Sequence, residues 1–138
     1  MTIIRHLSVA VNSPEKCARV IAELTGGTPM AFKTRVVEMK AWICLWDAKK
    51  NELIELLPKG WIMHPTSEGA SFKKVSKIDK CNSTHIQLEV STPITRLQTI
   101  AEKYGCLHYY RKIPSLGGPL YEIWIEEDFL IEFVSDEI

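Results

Sequence analysis

The sequence predicts an α+β chain built from two tandem βαβββ modules. Three observations carry that prediction. Short segments with apolar residues at every second position fall into two groups. Each group is interrupted once by a helical apolar stripe, at the same place in the order. Identical residues fall on each other when the first half is shifted onto the second by 79 positions.

Size and charge narrow the function classes. A chain of 138 residues with 46% hydrophobic and 25% charged content is long enough to bury its own core as one domain. Seventeen basic residues balance 17 acidic ones, so no electrostatic footprint for nucleic acid or an anionic membrane exists. Cys17, Cys44, Cys81 and Cys106 are far apart and form no CxxC pair. That spacing fits neither a zinc finger nor a disulfide framework, and it suits a reducing compartment. The start, Met1 to His6, lacks a basic segment followed by an apolar one, so it does not read as a signal peptide. No apolar run is long enough to span a bilayer. The expectation is a cytoplasmic protein without nucleic-acid or membrane partners.

The elements follow in order. Ile3 to Val11 alternates as a half-buried strand. Ser13 is placed to cap a helix with Pro14 in its first turn, and Cys17, Ala18, Val20, Ile21 and Leu24 form the apolar stripe that Gly26-Gly27 ends. Thr28–Lys33 is a weaker strand. Ala41–Asp47 and Glu52–Leu57 are stronger ones, joined by a hairpin turn over Ala48-Lys49-Lys50-Asn51. Residues 58–83 are polar, hold Pro58, Gly60, Pro65 and Gly69, and read as a linker or ordered loop with at most a short strand near Phe72–Val75. Thr84–Val90 opens the second module. Ser91-Thr92-Pro93 caps a helix that runs to about Tyr104 and ends at Gly105. Strands at about Leu107–Ile113, Leu120–Glu126 and Leu130–Ser135 complete it. Ser115 to Pro119 forms the first loop between them, and Glu127-Asp128 the second. The chain thus reads as one domain over 1–138, with module 1 over about 1–57, the linker over about 58–83 and module 2 over about 84–138.

The repeat reaches polar positions. His6 falls on His85, Val11 on Val90, Pro14 on Pro93, Ile21-Ala22-Glu23 on Ile100-Ala101-Glu102 and Gly26 on Gly105. Late in each half, with a shift of 77, Leu53-Ile54-Glu55 falls on Leu130-Ile131-Glu132. Shared caps explain the Pro and Gly matches. They do not explain His on His and Glu on Glu inside strands.

Alternation assigns faces. With Leu7, Val9, Ile54, Leu56, Ile86, Leu88, Ile131 and Phe133 packed on the helices, His6, Glu55, His85 and Glu132 all point to the other side. Two imidazoles and two carboxylates on one surface suit a divalent metal: Ni, Zn, Co, Mn or Fe. Carboxylates set in apolar runs also need a cation or another partner, because two converging carboxylates repel.

These segments resemble the vicinal oxygen chelate superfamily, which spans the glyoxalases, bleomycin-resistance proteins and extradiol dioxygenases. The likeness rests on Arg5-His6-Leu7-Ser8-Val9, Ile54-Glu55-Leu56-Leu57-Pro58, Thr84-His85-Ile86-Gln87-Leu88 and Leu130-Ile131-Glu132-Phe133, and it covers essentially the whole chain. It implies a curved mixed sheet around a central cleft. It implies one divalent ion held by His6, Glu55, His85 and Glu132, with Glu55 or Glu132 moving a proton. The His/Glu/His/Glu set is closest to the glyoxalase I branch, although no residues suited to a glutathione conjugate stand out. The implied activity is that of a metal-dependent lyase or isomerase acting on a small molecule with neighbouring oxygens, through an enediolate or similar oxyanion. The alternative that the superfamily offers is a metal-free protein that sequesters a flat ligand. A homodimer is expected, since sheet edges in this superfamily commonly pair between chains.

The remaining cleft residues come from alternation. If Ile43 and Leu45 are core, Trp42, Cys44 and Trp46 share the cleft side. If Ile123 and Ile125 are core, Glu122, Trp124 and Glu126 do so too. The tryptophans suit an aromatic or apolar ligand, or equally packing against the other module or a second subunit. Arg35, Arg111 and Lys112 are candidate anchors for an anionic group, or solvated surface charges. His64, His108 and Cys44 are assigned no role.

Overall fold

A computed structural model describes residues 3–77, 84–113 and 118–135. The elements run β1 (His6–Val11), α1 (Pro14–Thr25), β2 (Thr28–Phe32), β3 (Ala41–Asp47), β4 (Glu52–Pro58), β5 (Trp61–Thr66) and β6 (Gly69–Lys74). They continue with β7 (His85–Glu89), α2 (Ile94–Lys103), β8 (Leu107–Ile113), β9 (Gly118–Ile125) and β10 (Phe129–Val134). Cys81 and most of the loop expected at Ser115 to Pro119 lie outside the described residues. No helix among the described residues is long and apolar enough to cross a membrane.

The chain divides into two compact units, the second comprising 23–26 and 80–138. In the first unit a four-stranded sheet has the order β1-β4-β3-β2. Strand β1 runs parallel to β4, and the other neighbours are antiparallel. The second unit repeats this arrangement as β7-β10-β9-β8, with β7 parallel to β10. The sequence repeat is therefore a repeat of strand order and direction, with the opening strand of each module docked on its closing strand. The mixed α+β fold class is the one the sequence predicts.

In each unit, one sheet face packs on a helix. Helix α1 begins where the Cys17 N–H donates to the Ser13 carbonyl, at 3.0 Å. Its stripe of Cys17, Ala18, Val20, Ile21 and Leu24 is buried, as are Val9, Val11, Ile54 and Leu56 of the first sheet. In the second unit Leu97, Ile100 and Ala101 of α2 are buried, as are Ile123, Ile131 and Phe133. Burying each such large aliphatic or aromatic side chain stabilises the fold by about 1.5–3 kcal/mol before entropy is counted. Gly26 and Gly105 follow the two helices at φ 77° and 67°, the left-handed geometry that a side chain resists.

Two expectations need correction. Residues 58–83 are not simply a linker, because β5 and β6 form an antiparallel hairpin from Trp61 to Lys74. The segment escapes notice in sequence because Pro65 and Gly69 break its alternation, and the hairpin leaves Ile62 and Met63 exposed. Helix α2 is not capped by a side chain either. Pro93 occupies the N-cap position, and the Thr92 hydroxyl donates instead to the Leu24 carbonyl at 2.9 Å.

A charged clasp closes the end of α2 within the second unit. Lys103 Nζ donates to both Glu23 carboxylate oxygens, at 2.8 and 3.0 Å. The Tyr104 hydroxyl donates to the same carboxylate. These bonds, Lys103 first, hold the Glu23 carboxyl below its usual range. The Glu23 carboxylate in turn raises both the Lys103 ammonium and the Tyr104 phenol.

Candidate functional site

The strand pairing brings His6 and Glu55 onto one face of the first sheet. His6 lies opposite Leu53 and Ser8 opposite Glu55, so imidazole and carboxylate are neighbours one diagonal apart. Ser8 Oγ donates to Glu55 Oε2 at 2.6 Å. His6 is exposed and Glu55 half-buried. The helix-facing partners in the same ladder, Leu7 with Ile54 and Val9 with Leu56, point the other way.

The second sheet holds the same figure. His85 lies opposite Leu130, and Gln87 opposite Glu132. Gln87 Nε2 donates to Glu132 Oε2 at 3.3 Å. Each unit therefore presents one imidazole and one carboxylate across a parallel strand pair, with a neutral donor two residues past the histidine fixing the carboxylate. Ser8 and Gln87 were not singled out in the sequence. The signal was available, since the shift that maps His6 on His85 maps Ser8 on Gln87.

The donor types suit a divalent ion, because imidazole and carboxylate are its ordinary protein ligands. Two donors are half of a typical shell. Among the described residues no group of three or more His, Cys, Asp or Glu side chains is close enough to hold a metal. Each unit thus presents two such donors, one imidazole and one carboxylate.

On the sheet face that carries Glu132 lies an open cavity of about 720 Å³. Its lining includes Leu107, Tyr109, Arg111, Glu122 and Trp124. Register puts all of them on the face that carries Glu132. Glu122 lies opposite Glu132 on one side and Tyr109 on the other, while Trp124 lies between Leu130 and Leu107. Glu122 is 6% exposed, an unusual burial for a carboxylate. Arg111 Nη1 donates to it at 3.2 Å, with the Arg111 side chain itself 57% exposed.

Trp42 and Cys44 are not on this kind of face. They lie opposite Leu56 and Ile54, which are helix-facing, whereas Ile43 lies opposite Glu55. The Arg19 guanidinium of α1 sits 5.3 Å from the Trp42 ring centroid, and Cys44 is fully buried. The pairing shifts register between Leu45 and Asp47, and the Trp46 ring lies against Gly27 beside the Cys44 sulfur. The assignment of Trp42, Cys44 and Trp46 to the cleft side is therefore corrected. Strand β3 is apolar on both faces, so alternation alone cannot tell which set meets the helix.

The other candidates are dispersed. Arg35 Nη1 donates to the Glu68 carbonyl at 3.1 Å, in the β5–β6 turn. The Lys112 side chain lies outside the described residues. Glu126 is a turn residue with φ 56°. His108 pairs with the Tyr121 hydroxyl at 2.5 Å on the helix-facing side, and burial, with Glu102 of α2 second, raises that phenol. His64 is on β5.

No protein-family model and no curated protein sequence matches the chain. Solved structures do. The fosfomycin resistance protein FosX from Mesorhizobium loti superposes with a TM-score of 0.64 at 10% identity, covering 100% of this chain and 94% of that one. A mutant of FosX from Listeria monocytogenes, complexed with Mn(II) and 1S,2S-dihydroxypropylphosphonic acid, gives 0.63 at 9% identity, covering 100% and 95%. An integron cassette protein from the mobile metagenome of V. cholerae gives 0.59 at 12% identity, covering 99% and 97%. At these identities the likeness is one of fold.

Proposed function

From a chain with the vicinal oxygen chelate fold, we propose a divalent-metal-dependent enzyme of the lyase or isomerase type, acting on a small substrate with vicinal oxygens. One observation carries the proposal: the His6–Glu55 and His85–Glu132 pairs occupy the same register positions in two sheets of the same topology. An ordinary sheet face has no reason to repeat an imidazole, a carboxylate and a donor onto that carboxylate. The fold neighbour with Mn(II) bound carries a ligand with two adjacent hydroxyls, which supports the same chemistry here.

In this reading His6, Glu55, His85 and Glu132 share one ion, the two half-sites coming from one chain or from two copies in a homodimer. The whole chain then works as one domain. The ion supplies Lewis acidity to adjacent substrate oxygens. Glu55 or Glu132 moves the proton. Ser8 and Gln87 hold those carboxylates in line, as outer partners do around metal ligands.

The test is metal binding, measured by calorimetry on stripped protein titrated with Mn, Ni, Co, Zn or Fe. One tight site is expected, lost in His6→Ala and in His85→Ala. Unchanged binding in the double variant sinks the assignment. A second reading, a metal-free protein that sequesters a flat ligand, is favoured by the aromatic lining of the cavity in the second unit. Protein isolated without metal, with tryptophan fluorescence quenched by an aromatic ligand, would select it.

A further inference from the structure

We propose that Glu122 is a positioning residue: it holds the Arg111 guanidinium over the cavity to receive the carboxylate of a small aromatic acid. The inference rests on the reading above only in taking this sheet face as the ligand face, and it names the ligand class.

The rungs of the sheet set the layout. Leu107 and Trp124 form one rung, Tyr109 and Glu122 the next, and Arg111 comes two residues further along β8. Successive same-face rungs are about 7 Å apart. The cavity thus has Leu107 and Trp124 at one end, with Glu127 of the following turn at its rim, and Arg111 with Glu122 at the other, with Tyr109 between them. Arg111 does not extend away from the cavity. It reaches back one rung to Glu122, so the guanidinium is drawn toward the aromatic residues.

Burial explains the direction of the pair. A carboxylate 6% exposed is costly to leave without a partner, whereas a guanidinium 57% exposed has water available. The geometry is therefore anchored at Glu122. Only one contact between the two is within hydrogen-bond distance, through Nη1. A guanidinium has five N–H donors in a planar fork, which leaves an edge for a second carboxylate. A flat ring between Trp124 and Tyr109, bearing a carboxylate toward Arg111, satisfies both ends. Such a ligand would lie beside Glu132, one strand over.

The experiment separates positioning from simple charge. Full-length protein, stripped of metal, is titrated calorimetrically with 2-naphthoate and with its neutral isostere 2-naphthamide. Wild type should bind naphthoate, and Arg111→Ala should weaken it by about tenfold or more, the loss of charge-assisted hydrogen bonds. Glu122→Gln gives opposite signs for the two ideas. Positioning predicts weaker naphthoate binding with naphthamide unchanged, although a negative charge has been removed. Tighter naphthoate binding in Glu122→Gln shows that Glu122 merely opposes the anion, and overturns the proposal. Arg111→Lys keeps the charge and loses the fork. It should also bind naphthoate more weakly, and wild-type affinity there overturns the proposal even if Glu122→Gln does not fold. Absence of naphthoate binding by wild type overturns it as well. Because naphthoate is titrated on metal-stripped protein, the result does not depend on the metal titration above, so failure of the metal site and failure of this inference give different results.

Discussion

At Gly27 the chain leaves α1 and passes tight against β3. A Cβ there would lie 2.5 Å from the Cys44 sulfur, 2.9 Å from Trp46 Cδ1 and 3.1 Å from the Leu45 carbonyl oxygen. The site has no slack, because one of those atoms is backbone and Cys44 is fully buried. Gly27→Ala should therefore cost about 1–3 kcal/mol in urea denaturation, the usual penalty for overpacking. Adding Cys44→Ala should return part of that loss, a coupling expected of residues in contact. Glu23 gives a pH-dependent prediction at the same scale. Its carboxyl lies below the ordinary 4.5, so its contribution is present above that value and lost as pH falls through the lowered one. Lys103 lies above its ordinary 10.5, so its contribution is present below that value and lost as pH rises through the raised one. The stability difference between wild type and Glu23→Gln should be flat across neutral pH and close in acid. It should also shrink with salt, since Lys103 is largely exposed.

At the scale of elements, the hairpin turns differ in how well their sequences suit them. The β3–β4 turn has Asn51 at φ 57°, and asparagine tolerates the left-handed region. The β9–β10 turn places two glutamates there, Glu126 at φ 56° and Glu127 at φ 57°, with the Asp128 N–H donating to the Ile125 carbonyl at 3.1 Å. Two consecutive left-handed residues make the turn that Asn-Gly favours. The double change Glu126→Asn with Glu127→Gly should stabilise the protein by about 1 kcal/mol, read as a higher denaturation midpoint at unchanged slope. The expected turn at Glu127-Asp128 falls one residue late, because no glycine or asparagine marks the position. The two helices were readable to within a residue. Their apolar stripes and the glycines behind them are local signals, decided within one or two turns of chain.

For the whole molecule, the prediction concerns how metal and stability are linked. An ion that binds only the folded protein adds about 2.7 kcal/mol at a free concentration a hundred times its dissociation constant. Mn(II) should therefore raise the thermal midpoint of wild type. If His6 and His85 serve one ion, His6→Ala and His85→Ala should each abolish the whole shift rather than half of it. Two half-shifts would mean two separate two-donor sites, and the shared-ion proposal would fail.

The sequence by itself determined the βαβββ order, the repeat and the sides on which His6, Glu55, His85 and Glu132 stand. It could do so because those strands have one apolar face, and a period of two then leaves a single choice. It did not determine the face of β3, where both sides are apolar and only pairing with β4 sends Trp42 and Cys44 toward the helix. Nor did it reveal the β5–β6 hairpin, whose Pro and Gly obscure the period, or the burial of Glu122 beneath Arg111. Those depend on which strand lies beside which, a choice made by contacts between residues distant in the chain.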